Sequence, residues 1–311
     1  MAYTSGDIIL DDHYNDFVAS VNAIWGSGTG DKGYGQTSTI STVSASNTIT
    51  ATQWATLLSR ISSSATHQGS SITSIASPSI GDTISAYAAL STNITTIDTN
   101  RIDAAGTGTD TTDTAVTTGV TWYTDNTHPE TVTWAGGNEA RYFFNAGGSI
   151  RISFAHVGST TSDKNTEWAD LATQCGTIVL GAHSTAKSGG GGTATTLTTS
   201  TGYYELTTSD TVIFKQFADT SPYTTNYIQV SAKVSAAHGD GLGNNGEVIT
   251  LTVLYQDDAA DNIAYDKATY NVLDQVDGTT TTTFTARAPS TTTLTDTWGN
   301  PALVTGTIVT N

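Results

Sequence analysis

The side chains of this 311-residue chain that could do chemistry are few, and their spacing is loose. Six histidines (His13, His67, His128, His156, His183 and His238) show neither a His-Glu-x-x-His run nor a paired spacing that would turn two imidazoles toward one metal ion. The one cysteine, Cys175, excludes an internal disulfide and any zinc site built on two thiolates. Cys175 and His183 are the residue types of a nucleophile and its base, but a working pair needs a third group to orient the imidazole. Cys175 falls beside Leu171 on the apolar side of a helix predicted over 165–175, which is the position of a buried structural thiol. A glycoside hydrolase needs two facing carboxylates, and no particular pair stands out. No catalytic residue, cofactor site or metal site is therefore expected.

Two glycine-rich words could hold ligands. Gly28-x-Gly30-x-x-Gly33 spells a dinucleotide fingerprint, which works only where a strand enters the turn and a helix leaves it. Here an apolar helical pattern precedes the glycines and polar chain follows, so a closely packed loop is expected. Gly189–Gly192 reads as a loop tip. The run from His238 to Glu247 loosely resembles a calcium loop, yet Leu242 and Leu251 occupy two liganding positions of that motif, which favours a turn between strands. Asp257, Asp258 and Asp261 are read as a solvated loop after a strand. Trp122, Trp134, Trp298, Tyr203, Tyr204 and Tyr223 are expected in the core or at its edge, with contact to a sugar as the alternative.

Composition limits the partners. The chain has 28 acidic and 11 basic residues, a formal charge of −17. It lacks the basic footprint that nucleic acid requires, and an anionic membrane surface would repel it. No run of 18 apolar residues is present, and the N-terminus lacks the basic and apolar regions of a signal peptide. The expectation is a protein that neither binds nucleic acid nor spans a membrane and that stays where it is made.

The framework that must position these residues is mainly β. Only 13% of residues are charged, while 63 are threonine and 30 are serine. Threonine's branched Cβ suits a pleated surface. Residues 1–103 read as a helical docking and oligomerisation region. Its helices are predicted over 11–25, over a second segment opened by the capping box Thr50-x-x-Gln53 and closed near Gly69, and over 80–102. In the third, Ile80, Ile84, Tyr87, Leu90, Ile94 and Ile97 form a narrow seam that either packs on the other two helices or joins copies of the chain. Residues 104–121 read as a linker.

Residues 122–311 then alternate with a period of two, predicting an antiparallel β-sandwich of jelly-roll type. Strands are predicted over 131–134, 140–144, 149–154, 177–180, 202–206, 212–217, 227–234, 247–255 and 280–287. Asn145-Ala-Gly-Gly148 is read as the turn of a hairpin. A domain cut to 115–311 is expected to fold alone.

The words Thr4-Ser-Gly-Asp-Ile-Ile-Leu-Asp-Asp-His-Tyr-Asn-Asp-Phe17 and Val21-Asn-Ala-Ile-Trp-Gly-Ser-Gly-Thr-Gly-Asp-Lys-Gly-Tyr-Gly-Gln36 resemble the opening of virion structural proteins of tailed phages. The similarity is greatest to myoviruses of cyanobacteria and related marine phages. Trp54-Ala-Thr-Leu-Leu-Ser-Arg60, His67-Gln-Gly69 and Arg141-Tyr-Phe-Phe-Asn-Ala-Gly-Gly148 are similar to the same group. The likeness covers about the first 70 residues and scattered points beyond, and it supplies no catalytic residues.

The resemblance implies a non-enzymatic virion component assembled in the host cytoplasm, without fixing its place in the particle; a threonine-rich sandwich on a helical base adds the expectation of a fibre, neck, collar or baseplate-associated appendage. Its partners would be copies of itself, a trimer by analogy with fibres, and other virion proteins. The alternatives are a capsid decoration protein, a tail module that binds a host-surface glycan, and a glycan-degrading enzyme.

Overall fold

The computed structural model describes residues 11–45, 47–77, 79, 86–106, 108–236, 246–259 and 275–311. Helix α1, Asp11–Trp25, buries Tyr14, Phe17, Val18, Val21, Ile24 and Trp25 along one stripe. Beside that stripe, two asparagines seven residues apart clamp an extended segment. Asn15 Nδ2 donates to the carbonyl of Val43 and its Oδ1 accepts from the Val43 amide, both at 2.9 Å. Asn22 makes the same pair with Ile40 at 2.8 and 2.9 Å. The clamp supplies backbone partners that a polar, strandless segment would otherwise have to find in water.

Helix α2, Ala51–Gln68, opens on the expected capping box, with Gln53 N donating to Thr50 Oγ1 at 3.2 Å and Thr50 N donating to Gln53 Oε1 at 2.9 Å. It ends at Gly69, whose φ of 68° is the left-handed conformation that glycine adopts without strain. Helix α3, Tyr87–Thr99, has no side-chain cap and is rich in threonine. Thr92, Thr95, Thr96 and Thr99 each donate a hydroxyl to the carbonyl four residues back, so these side chains are satisfied on the helix itself.

The seam of α3 is occupied within one chain. Leu90, Ile94 and Ile97 are buried against α1 and α2, and Tyr87 meets the Phe17 ring at 5.1 Å between centroids. For these three side chains the packing within one chain is the first of the two readings the seam allowed. Ile80 and Ile84 lie outside the described residues.

Two antiparallel sheets follow. One runs in the order β1 (Thr109–Thr118), β10 (Thr279–Ala288), β3 (Ser149–Val157), β4 (Thr177–Leu180), β5 (Thr185–Ser188). The other runs β11 (Ala302–Thr305), β2 (Asp125–Thr133), β9 (Val248–Gln256), β8 (Tyr227–Val234), β7 (Thr211–Phe217), β6 (Thr196–Leu197), and β12 (Val309–Thr310) also pairs with β2. Buried and half-buried residues alternate along β2, β8 and β9. Phe154 of β3 stacks on Phe214 of β7 across the gap, so the sheets form the expected sandwich. Helix α5, Asp163–Cys175, lies against β3 and buries Trp168, Leu171 and Cys175.

Three segments depart from the sequence reading. Residues 140–144 are not a strand but lie in helix α4, Gly137–Asn145. Every residue from Ala140 to Asn145 is buried, so neither helical nor strand periodicity survives in the pattern. The glycines after it close a helix instead of a hairpin: Gly147 has φ 92° and Gly148 N donates to Phe143 O at 2.8 Å. Residues 202–206 hold a single 3-10 turn, Tyr203–Glu205. Most of the segment read as a linker is β1, which pairs with β10 along its length.

The helices sit on the sandwich. Gln36 Nε2 donates to Thr295 O and Gln36 Oε1 accepts from Thr295 N, at 2.9 and 2.8 Å. Ala105 N donates to His67 O at 2.8 Å, and His67 Nε2 lies 3.1 Å from Ala146 O.

Candidate functional site

The glycine loop packs on the wrong end of a helix for a phosphate. Tyr34 N, Gly35 N and Gln36 N donate to Ile24 O, Gly26 O and Trp25 O, so the loop folds back on the C-terminal carbonyls of α1. That end carries the negative pole of the helix dipole. A Cβ at Gly33, whose φ is 99°, would stand 2.4 Å from Ser27 O, so glycine is needed there for close approach. Gly190 is equally close-packed, under the carbonyl of Gln174 at the end of α5.

The tip of this loop is the hub of a polar junction that sequence spacing did not reveal. Arg101, just after α3, grips the carboxylate and carbonyl of Asp31. Lys32 Nζ pairs with Asp98 at 2.7 Å. From the sandwich, Arg141 Nη1 donates to Lys32 O at 3.2 Å and Asn145 Nδ2 to Gly33 O at 3.0 Å. His183, with its Nδ1 2.6 Å from Glu205 and its ring stacked on Tyr204, reaches Asp31 at 3.7 Å. The junction fastens helices to sandwich through groups far apart in sequence.

Three other histidines are buried. His128 has Nε2 2.7 Å from Thr118 Oγ1 and Nδ1 3.0 Å from Thr282 Oγ1, linking β1, β2 and β10, and burial pushes its pKa down to about 4. His156 Nδ1 lies 3.0 Å from Thr280 Oγ1, and its pKa also falls by burial, opposed by Asn165 and Asp277. His67 behaves likewise, with the Ala146 carbonyl opposing the fall. His238 lies outside the described residues, as does most of the calcium-like run.

Cys175 is buried and its thiol is pushed up to about 12, the state of an inert structural thiol. His183 is engaged with Glu205, Asp31 and Tyr204, which gives it a structural role. Trp122, Trp134, Trp298, Tyr203 and Tyr223 are all buried. Trp134 lies 5.2 and 5.4 Å from the rings of Phe143 and Phe144, and Tyr203 stacks on Phe144 at 4.3 Å. Tyr204 donates its hydroxyl to Asn145 Oδ1 at 2.7 Å. The five buried rings hold the core together, and the half-buried Tyr204 stacks on His183.

The carboxylates sort by depth. Glu167, Asp170 and Asp219 bring ligand atoms within 4.8 Å of one another, the spacing a cation could use. Gln174 Nε2 donates to Asp219 at 3.0 Å and also to Asp170, and Thr220 N donates to Glu167 at 3.4 Å, so neutral donors already bridge the group. Burial raises the Glu167 carboxyl, with hydrogen bonds from Thr220 opposing it. Asp258 is exposed, and Asp261 lies outside the described residues. Asp257 corrects the solvated-loop reading: it is buried and paired with Lys164 at 2.6 Å. No family model, curated protein or solved structure matches the chain.

Proposed function

We propose that this chain is a structural component of a tailed-phage particle, in a fibre, neck, collar or baseplate-associated position. The observation that carries the reading is how its chemically capable groups are used. His67, His128, His156, Cys175 and the Lys164–Asp257 pair are all buried in the framework, and His183 and Arg101 join helices to sandwich at the junction around Asp31. A scaffold has this use for such residues, whereas an enzyme must leave some of them facing its substrate. The resemblance of the N-terminal words to phage virion proteins supports the same reading, and the described part of that stretch, from Asp11, forms α1 and the loop at the junction. The burial of the tryptophans speaks against a glycan-binding face built from them.

Peptide mass spectrometry on gradient-purified particles of the parent phage tests this. The chain should be present in a fixed ratio to the other virion proteins. Its absence from infectious particles, with the chain abundant in the lysate, would contradict the proposal.

A further inference from the structure

We propose that Lys164 and Asp257 condense to an intramolecular amide that ties helix α5 to the end of strand β9. Their side chains are 0% and 1% exposed, with Nζ 2.6 Å from Oδ2. The other carboxylate oxygen, Oδ1, is buried and takes no hydrogen bond among the described residues. A carboxylate with one oxygen unsatisfied and a lysine cation both removed from water make a costly ion pair. The cation also sits in the first turn of α5, at the positive end of the helix dipole. A neutral amide removes both charges from the interior.

The geometry is fixed from both sides. Ser162 caps α5 by accepting from Asn165 N at 3.2 Å, and Trp168 one turn on lies 5.1 Å from Trp122 and 6.1 Å from Tyr255. Asp257 N donates to Thr124 O at 2.8 Å, and Asn226 Oδ1 accepts from Asp258 N and Ala259 N at 2.9 and 2.8 Å. The nitrogen is thereby held 2.6 Å from one oxygen of the carboxyl group it would attack. Burial raises the Asp257 carboxyl, with Lys164, the Ala259 amide and the Asn226 side chain opposing, and the net rise is toward the protonated acid that can lose hydroxyl.

The step balances without a co-reactant. The ammonium passes one proton to the carboxylate, giving an amine and an acid. The amine nitrogen attacks the carboxyl carbon and forms the N–C bond. The C–OH bond breaks, and the hydroxyl leaves as water with a second proton from nitrogen. The product links residues 93 apart in sequence, in a chain with a single cysteine and so no internal disulfide.

Intact-mass spectrometry of the purified full chain reads the outcome. The expected mass is one water below that of the sequence, with a branched peptide joining Lys164 to Asp257 after proteolysis. Lys164→Met and Asp257→Ala chains should each show their full sequence mass. A wild-type chain of full sequence mass, whose Lys164 amine is acylated after denaturation, would overturn the proposal. A water loss mapped elsewhere, such as a succinimide at Asp277-Gly278, would overturn it too.

Discussion

At the scale of single residues, the buried histidines set a pH dependence. His128 is neutral in the fold, with its pKa at about 4 through burial, and protonates near 6.5 once unfolded. Between those values the unfolded chain binds the extra proton, so this contribution to stability is full above about pH 6.5 and is lost as pH falls toward 4. The slope is roughly 1.4 kcal/mol per pH unit for one such histidine. His67 and His156 are shifted down and act in the same direction. Glu130 and Glu167, raised by burial, pull the other way in the acidic part of that window. Urea midpoints measured from pH 7.5 to 4.5 should fall with acid, and His128→Gln should flatten the curve by about that slope. An unchanged slope in the variant would remove His128 as its source. Sequence indicated that Cys175 and most of the histidines are structural, because they lacked partners at chemical spacing. It could not indicate Asp257, whose ion-pair partner is 93 residues away.

At the scale of elements, legibility followed how local the signal was. The capping box Thr50/Gln53 and the Gly69 stop of α2 are contacts within a few residues, and both stand where expected. Strand β8 was legible to its ends because one face is buried and the other only half-buried, which writes alternation into the sequence. Helix α4 was not, since it is buried all round. Nor was β1, an edge strand whose exposed residues are mostly threonine and aspartate and which buries only Val116 and Thr118. The seam of α3 was read correctly as apolar, and its partner was decided by tertiary packing. Ile97 is 0% exposed within the chain, so Ile97→Ala should cost about 2–5 kcal/mol through lost burial and a cavity. Thermal unfolding and sedimentation on the same sample separate the two roles. The melting temperature should fall while the sedimentation coefficient of the folded protein stays unchanged. A dissociated oligomer with an unaltered melting temperature would return Ile97 to a symmetric interface.

At the scale of the whole molecule, the helical segment and the sandwich are fastened at more places than a simple tether would need. Gln36 reaches Thr295, His67 reaches Ala146, and Arg141 and Asn145 hold the glycine loop. A chain begun at residue 115 would start inside β1 and would lose Gly35, which packs against the Tyr142 ring, and Lys32 and Gly33, which accept from Arg141 and Asn145, so an independent 115–311 domain would begin without these contacts. Under the function proposed above, this internally bonded body is a building block of a phage particle. A cryo-EM map of the parent particle, resolved well enough to trace the chain, tests that claim most directly. The account predicts symmetric copies of this two-sheet body with its three helices against it, each copy touching another virion protein. A complete map in which every density is traced to other chains would contradict it.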